Sequence, residues 1–315
     1  MCRRVPSWHG RSGLRLTRLH ELVGRKRVVT VELIPDRVSP ADLGILRGRV
    51  DAVTVPALRN GTADPVFPSG HHISPQQRSI AAATLLRGTG LDAVPTITCR
   101  DSTVADVFSR LSDLLSVGID NLLVVYGDPS GSTFDRYEMR ASHHLIDWVD
   151  RTSNGRFSVW AITNQYHHDQ EREIARTLIR QEAGARIVLT NAVFEADGVL
   201  EYRDALRDAG LSVPISVQIS VIHSFENLSF VSQKLGIPVP IGVQRRLRRD
   251  PGAGVEVAAD AYRALKSEFD GVHFSYLYRK QSPIPVYTRL LDLIGIPFQA
   301  PGLNGELMAP DQLVR

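Results

Sequence analysis

The 315-residue sequence has few cysteines, no long apolar run and none of the common nucleotide-binding motifs. Its two cysteines, Cys2 and Cys99, are too few for a disulfide framework or for a cysteine-rich zinc site. No apolar stretch approaches the roughly eighteen residues of a membrane span, and no apolar run follows the first arginines as in a secretory signal. We therefore expect a cytoplasmic protein that does not enter a membrane.

Motifs for metal binding and for several kinds of catalysis are also missing. The sequence has no Walker loop, no Gly-x-Ser-x-Gly elbow and no Gly-x-Gly-x-x-Gly turn. Adjacent histidines point apart on a strand and lie about 100° apart on a helix, so a pair of them does not form a two-ligand face. The adjacent pairs are His71-His72, His143-His144 and His167-His168. We predict no metal site.

Basic charge is concentrated at the start of the chain. Residues 1–27 hold eight of the 37 basic side chains and one of the 34 acidic ones, which leaves 29 basic and 33 acidic side chains elsewhere. The formal charge of +3 therefore belongs to this leading segment. Because the rest of the chain is mildly acidic, we do not expect it to bind nucleic acid. The leucines at 14, 16, 19 and 22 predict a short amphipathic helix in the basic segment.

Eight apolar, β-branched runs recur along the chain, and helical patterns fill most of the gaps between them. Such near-continuous apolar runs are typical of strands that are buried on both faces. The predicted strands are 28–34, 51–55, 93–99, 120–126, 157–162, 186–191, 213–221 and 271–278. The predicted helices are 75–87, 104–116, 139–149, 171–182, 197–208, 255–268 and 284–294.

Eight strand–helix units predict an α/β protein with the (β/α)8 barrel fold. A doubly wound sheet is the alternative, but it requires a glycine-rich turn after the first strand. The first strand here ends in Glu32-Leu33-Ile34-Pro35-Asp36, which contains no glycine. We therefore favour a single barrel over 28–300, preceded by the basic segment 1–27 and followed by a tail over 301–315.

Function in such a barrel collects at the carboxyl ends of the strands. Glu32 stands in an otherwise apolar strand, so it is either a general acid whose pKa is raised by burial or a salt-bridged strand end. Asp128 is either a turn residue or a carboxylate that faces the site. Arg180 is a candidate for binding a phosphate. The other polar residues at these ends are Thr54, Thr98, Cys99, Asn164, Thr190, Asn191, Gln218, His223, Tyr276 and Arg279.

Several segments taken together resemble the methylenetetrahydrofolate reductase family. Val31-Glu32-Leu33-Ile34-Pro35 is similar to the family's Phe-Glu-Phe-Phe-Pro. Residues 117–123 and Gly127-Asp128-Pro129 resemble Leu-Gly-Ile-x-Asn-Ile-Leu followed by Arg-Gly-Asp-Pro. Residues 182–194 resemble Asp-Ala-Gly-Ala followed by Thr-Gln-x-Phe-Phe, and 271–279 resemble Gly-x-His-Phe-Tyr-Thr-Leu-Asn-Arg. The shared order and spacing of these pieces carry the resemblance.

The resemblance implies a barrel that holds FAD and reduces the methylene group of methylenetetrahydrofolate to methyl. It makes Glu32 the general acid that protonates N10, and it places Asp128 beside the pterin and the flavin. Asn191 stands where the family has a glutamine that contacts folate. By the same resemblance Phe225 stacks on the substrate and Arg279 meets its glutamate tail. We add Gln218 to these substrate-binding residues because it is a polar residue towards the carboxyl end of the seventh predicted strand.

The flavin side of the family pattern is altered in this sequence. Arg-Gly-Asp becomes Tyr126-Gly127-Asp128, and Ala-Ala-Tyr-Pro-Glu-x-His becomes a segment that begins at Trp160. Arg180 falls where the family has a lysine near the flavin phosphates. The residues that we assign to the cofactor side are Thr54, Tyr126, Gly127, Trp160 and Arg180. This pattern suggests a folate site that persists beside a flavin site that is rebuilt or lost.

Two enzymatic functions remain open on the sequence, beside a catalytically inactive barrel that serves as a binding partner, against which the retained Glu32 and Asp128 count. The first is an oxidoreductase that makes 5-methyltetrahydrofolate from 5,10-methylenetetrahydrofolate with NADH or NADPH, either through FAD or by direct hydride transfer. The second is a flavin-free, folate-dependent methyl transferase or demethylase that acts on another metabolite and needs no hydride donor. In both cases the expected partner is a small folate molecule, and the oligomeric state stays open.

Overall fold

The computed structural model describes residues 18–33, 43–57, 75–100, 102–127, 138–222, 224–276 and 282–296. At positions 75, 76, 225, 226 and 234 it describes the backbone alone. Within these ranges, no helix has both the length and the apolar character that crossing a membrane requires.

Eight parallel strands pair in sequence order, and the last strand pairs with the first to close a barrel. Each observed strand lies within its predicted run, and the predicted (β/α)8 fold is confirmed. The strands are β1 (Val28–Glu32), β2 (Ala52–Val55), β3 (Ala93–Thr98), β4 (Asn121–Val125), β5 (Ser158–Ile162), β6 (Ile187–Leu189), β7 (Ile215–Val221) and β8 (Gly271–Tyr276).

Helices flank the strands. They are α1 (Leu19–Val23), α2 (Pro75–Gly88), α3 (Val104–Ser116), α4 (Ser142–Ser153), α5 (Gln170–Glu182), α6 (Val199–Asp208), α7 (Phe225–Lys234), α8 (Ile241–Arg249), α9 (Gly254–Leu265) and α10 (Ile284–Leu293). The sequence analysis predicts neither α7 nor α8, which both lie between β7 and β8. In α8 only Val243 and Leu247 are buried and the rest is rich in arginine, so few apolar residues mark it as a packed helix in the sequence.

The main apolar core lies between the strands and the surrounding helices. Side chains alternate between the two faces of a strand. Val29 and Val31 of β1 and Val53 and Val55 of β2 therefore face this outer core, where they join buried side chains of the helices. The intervening positions of each strand point into the barrel and are available to a site.

Local signals set the ends of the elements. Thr103 and Asp106 form a capping box at the start of α3, in which each side chain accepts a hydrogen bond from the other's backbone N–H. Gly118 follows this helix with φ of 75°, a left-handed conformation that favours glycine. The chain therefore passes from the end of α3 at Ser116 to the start of β4 at Asn121 through four residues.

The amino-terminal end of the barrel is covered by α1. Leu19 is fully buried and belongs to one apolar cluster with the inward side chains of Val28 and Trp160. Its backbone N–H donates to Asn121 Oδ1 at 2.9 Å, and His20 Nδ1 lies 2.8 Å from Ser158 Oγ. Part of the basic segment thus packs on the barrel, while a domain boundary at residue 27 stays a prediction.

Asp120, which precedes β4 at this covered end, provides a stability prediction. Burial, and then the charge of Asp92, raises the pKa of Asp120 from 3.8 to about 6. The folded state therefore binds this proton more tightly than the unfolded state, and the ionised carboxyl destabilises the fold above about pH 6. Below the unfolded pKa of 3.8 the carboxyl is neutral in both states, so this cost is absent.

We expect Asp120→Asn to raise the melting temperature at pH 8, where the wild-type carboxyl is ionised, and to lose this advantage near pH 4. Thermal unfolding followed by circular dichroism at both pH values measures the effect. Asp113→Asn, at an exposed position of α3, is the matched control. An equal gain at pH 4 and pH 8 would contradict the assigned cause.

Candidate active site

The inward-facing side chains form layers along the barrel axis. Neighbouring strands of a closed barrel are staggered, so side chains at one height come from alternate strands. The strand register gives three central layers. The layer nearest the covered end consists of Thr30, Val94, Trp160 and Ser216. The middle layer consists of Thr54, Leu123, Leu189 and His273. The third layer consists of Glu32, Thr96, Ile162 and Gln218. The third layer lies at the mouth, at the carboxyl ends of the strands.

His273 occupies the middle layer and is almost fully buried. Its Nδ1 lies 3.0 Å from Thr30 Oγ1, and its Nε2 lies 3.5 Å from Thr54 Oγ1. Burial lowers the pKa of His273 to about 3, so the ring is neutral at physiological pH and has one donor nitrogen and one acceptor nitrogen. Thr54, assigned to the cofactor side from the sequence, is buried beside this ring.

Glu32 ends β1 and is half-buried in the layer at the mouth. Its backbone carbonyl accepts a 2.8 Å hydrogen bond from the Tyr287 hydroxyl, and its side chain points into the barrel, as that of Thr30 does. A carboxyl in this place can exchange a proton with a substrate that enters from the mouth. Its role as general acid stays a prediction.

Gln218 shares the mouth layer with Glu32, and its side chain is hydrogen-bonded to Ser275, which is in turn hydrogen-bonded to Ser220. Its Nε2 donates to Ser275 Oγ at 3.0 Å, and the hydroxyls of Ser275 and Ser220 are hydrogen-bonded to each other. Ser275 stands where the family motif has a tyrosine. The structure therefore brings Gln218 and Glu32 to one height of the barrel, while their contact with one substrate stays a prediction.

Asn191 and Asn164 meet above β5 and β6, where Asn191 Nδ2 donates to Asn164 Oδ1 at 3.2 Å. Gln165 bonds the Asn191 backbone in both directions, with Nε2 donating to the carbonyl and Oε1 accepting from the N–H, each at 2.9 Å. Sequence reasoning missed Gln165 as a residue that positions Asn191. The signal in the sequence was a glutamine, whose long side chain carries an amide, placed shortly after a predicted strand.

Several predicted site residues lie outside the described part of the chain. They are Asp128, His223 and Arg279, together with the side chain of Phe225. Their assignments remain those of the sequence analysis.

Tyr126 and Gly127 follow β4 at the mouth. Tyr126 is 43% exposed, and its backbone carbonyl accepts a hydrogen bond from the Arg100 N–H at 3.1 Å. Gly127 has φ of 85°, and a Cβ at this position would lie 3.1 Å from Arg100 Cβ and 3.2 Å from Thr98 Cβ. Glycine is thus required by the backbone here, and this requirement alone explains the residue without a bound cofactor.

Neither Trp160 nor Arg180 faces the open mouth, because Trp160 lies deeper in the barrel and Arg180 lies on α5, outside the barrel wall. Trp160 is fully buried two layers below it, in the cluster that α1 covers. Arg180 donates to Glu173 Oε1 at 2.8 Å and to the Ile162 carbonyl at 2.9 Å, and its Nε lies 3.2 Å from Ser142 Oγ. The Glu173 side chain is only 5% exposed, so the guanidinium already neutralises a buried carboxylate.

These positions bear on whether the described residues fit FAD. A flavin dinucleotide requires cationic or amide donors for its phosphates and an open surface for its ring system. Arg180 is committed to Glu173, and Trp160 fills the barrel interior instead of lining its mouth. Arg180 and Trp160 are therefore not presented to a flavin at the mouth, whereas Tyr126 and Gly127 do lie there.

Thr96 is a further polar residue of the mouth layer that sequence reasoning did not assign to the site. Its hydroxyl is buried and has no hydrogen-bond partner within the described residues, as is also true of Trp160 Nε1 and Ser216 Oγ in the layer nearer the covered end. The segment Pro95-Thr96-Ile97-Thr98-Cys99 resembles the family's Pro-His-Leu-Thr-Cys, so the change of its histidine to Thr96 was the signal in the sequence. Such a hydroxyl can bond a ligand that enters the mouth.

The family model described as methylenetetrahydrofolate reductase matches residues 69–291, which is more than half of the 315-residue chain. The chain belongs to the methylenetetrahydrofolate reductase family. Glu32 precedes the matched range, so its place in the site depends on the barrel geometry and on the motif around β1. The match includes Asn191, Gln218 and Arg279.

Two curated relatives show how far the similarity extends. A protein of Caenorhabditis elegans named probable methylenetetrahydrofolate reductase (NADPH) is 26% identical over 168 residues, covering 51% of this chain and 25% of its own length. The 5,10-methylenetetrahydrofolate reductase of Escherichia coli strain K12 is 25% identical over 206 residues, covering 61% of this chain and 68% of its own length. The chain thus spans only a quarter of the first relative.

Solved structures show the same fold at lower identity. A Clostridium thermocellum protein that binds two copies of 5-methyl-5,6,7,8-tetrahydrofolic acid matches with a TM-score of 0.60 and 16% identity, over 89% of this chain and 100% of that chain. A 2,3-dimethylmalate lyase matches with a TM-score of 0.51 and 14% identity, over 94% of this chain and 91% of its own.

Among the described residues, no group of three His, Cys, Asp or Glu side chains is placed to hold a metal ion.

His273 provides a pH prediction for this reductase-family barrel. Its pKa is lowered by burial from 6.5 to about 3, so the unfolded state binds the proton first as the pH falls. Stability is therefore fully present above pH 6.5 and declines between pH 6.5 and pH 3. One such proton makes the free energy of unfolding fall by up to about 1.4 kcal/mol per pH unit.

We expect His273→Gln to be less stable than wild type at pH 7.5 but to have a shallower decline towards pH 4. Urea unfolding at several pH values measures both quantities. His168→Gln, at an exposed position, is the control and is expected to keep the wild-type slope. A His273→Gln slope as steep as that of wild type would show that other groups cause the acid sensitivity.

Proposed function

We propose that this chain is an oxidoreductase that reduces 5,10-methylenetetrahydrofolate to 5-methyltetrahydrofolate with NADH or NADPH, without bound FAD. The observation that carries the proposal is Glu32 at the mouth of a barrel of this family, in one layer with Gln218. The names of the curated relatives support the substrate. The methylated folate bound by the C. thermocellum neighbour supports a folate ligand.

The proposed reaction uses one proton and one hydride. Glu32 gives its proton to N10 as the bond from N10 to the bridging carbon breaks, and the carbon is left as an N5 iminium. This cation accepts hydride more readily than the closed ring does. Hydride from the reduced nicotinamide then forms the methyl group and leaves oxidised nicotinamide, and solvent reprotonates Glu32. General acid catalysis of this kind contributes about 10²–10⁴-fold in rate.

Direct hydride transfer is supported by the positions of the cofactor-side residues. Arg180 is paired with the buried Glu173, and Trp160 packs within the barrel. Neither is presented to a flavin at the mouth. A nicotinamide that stacks on the pterin therefore needs no intermediate carrier, because the iminium is itself a strong electrophile.

The first test follows hydride and flavin together. The purified full-length protein is mixed with methylenetetrahydrofolate and NADH or NADPH, and both nicotinamide oxidation and 5-methyltetrahydrofolate are measured. We expect one methyl product per nicotinamide oxidised, no flavin released on denaturation and no increase in rate with added FAD.

Two other outcomes would redirect the proposal. Stoichiometric release of flavin would contradict the flavin-free route while leaving the reductase intact. Folate binding without nicotinamide oxidation, combined with methyl transfer to another metabolite, would favour the transferase or demethylase.

The second test removes the proposed acid. We expect Glu32→Gln to lower kcat by about 10²–10⁴-fold, because the amide cannot protonate N10, while folate still binds. Steady-state kinetics and folate titration by fluorescence measure the two effects. Glu201→Gln, at an exposed position of α6, is the matched control and is expected to keep wild-type kcat. Turnover of Glu32→Gln at the wild-type rate would sink the mechanism.

A further inference from the structure

The seam, by which we mean the hydrogen-bonded pairing of β1 with β8, stops just below Glu32, the proposed acid. The ladder that joins these strands ends with the pair Val31 and Phe274, one residue before Glu32. On the other side of β1, Glu32 remains in register with Thr54, and the Leu33 N–H donates to the Thr54 carbonyl at 3.0 Å. Glu32 is therefore paired with β2 on one side, while on the other side it lies one residue beyond the last pair with β8.

Tyr287 of α10 occupies this position. Its hydroxyl donates to the Glu32 backbone carbonyl at 2.8 Å and lies 3.3 Å from the Phe274 carbonyl. The two carbonyls belong to the two strands of the seam, so one hydroxyl bridges β1 and β8 where their own pairing ends. The side chain is fully buried, which excludes water as a competing donor.

The first turn of α10 fixes the tyrosine at this height. The Tyr287 N–H donates to the Pro283 carbonyl at 2.9 Å, and Pro283 and Pro285 restrict the backbone at the start of the helix. The helix follows β8 and begins on the mouth side of the barrel. The Tyr287 ring therefore lies between β8 and α10 at the mouth end of the barrel, which is also the end at which Glu32 lies.

Burial, and then the charge of Glu32, holds the pKa of Tyr287 well above its usual value. The hydroxyl consequently keeps its proton throughout the working pH range and remains a donor. A neutral, rigid ring of this kind serves to hold a backbone position and does not exchange protons with substrate.

We propose that Tyr287 is a positioning residue that sets the backbone at Glu32 and, through it, the reach of the Glu32 carboxyl towards N10 of the folate. This inference rests on the proposed function, because it gives a role to Glu32 as the acid. A shift of about 1 Å in a reacting group can cost about 10²-fold in rate, even when the change is made outside the site. The hydroxyl is a single-atom difference from phenylalanine, so its contribution can be isolated.

The experiment is a double-mutant cycle in kcat of the full-length protein, with Tyr287→Phe, Glu32→Gln and the double variant. We expect Tyr287→Phe to lower kcat about 10- to 100-fold, with little change in the dissociation constants of folate and nicotinamide. In the Glu32→Gln background the same change is expected to cost no more than about twofold, because the group that it positions is already gone.

Tyr202→Phe is the matched control. Tyr202 is also a buried tyrosine with a hydrogen-bonded hydroxyl, 2.6 Å from Thr163 Oγ1, but it lies on α6 outside the barrel wall. We expect both variants to lose thermal stability, while only Tyr287→Phe loses kcat. If Tyr287→Phe is insoluble, Tyr287→His, whose shorter ring cannot bring a donor to the Glu32 carbonyl, enters the same cycle and is expected to lower kcat only where Glu32 is present.

The outcomes separate this inference from the proposed function. Wild-type kcat in Tyr287→Phe, or losses that simply multiply in the double variant, would overturn the positioning role while Glu32 remains the acid. Full turnover by Glu32→Gln, or no reduction of methylenetetrahydrofolate by wild type, would overturn the proposed function, and the role of Tyr287 would fall with it.

Discussion

The pairing of β8 with β1 is the contact on which the candidate site depends. Closure satisfies the backbone groups that an open sheet would expose at its two edges, and it imposes the stagger between neighbouring strands. That stagger brings Glu32 of β1, Thr96 of β3 and Gln218 of β7 to one height at the mouth. A slip of one residue in β1 would turn Glu32 from the interior to the outer core. The same closure that stabilises the fold therefore places the proposed acid.

The barrel interior accepts many polar groups because most of them bond to one another. His273 is neutral and lies between two threonine hydroxyls, and Gln218 is connected to a pair of serines. Apolar burial is concentrated in the outer layer between strands and helices. This division separates the residues that stabilise the fold from those that can meet a ligand. It explains how a polar interior is compatible with a stable domain.

The two sides of the proposed site differ in what their residues already contact. Glu32 and Gln218 face the mouth, which is compatible with binding a folate. On the side that the resemblance assigns to a flavin, Arg180 neutralises a buried glutamate and Trp160 is part of the interior packing. Membership of the reductase family is compatible with the proposed flavin-free route, since an activated iminium can take hydride directly from nicotinamide. The chemistry then depends on how accurately the proton donor is held.

Much of this protein can be read from its sequence, because strands buried on both faces of a parallel sheet require near-continuous apolar runs. The eight strands, the barrel and the polar strand ends at Glu32, Asn191 and Gln218 follow from that requirement. The helix α8 was missed because few apolar residues mark its buried face. Only the closed barrel decides that Arg180 of α5 reaches the Ile162 carbonyl of β5. It also decides that the Tyr287 hydroxyl reaches a carbonyl 255 residues away in the chain. Contacts of this kind depend on strand stagger and on which face a side chain occupies, and both are properties of the assembled sheet.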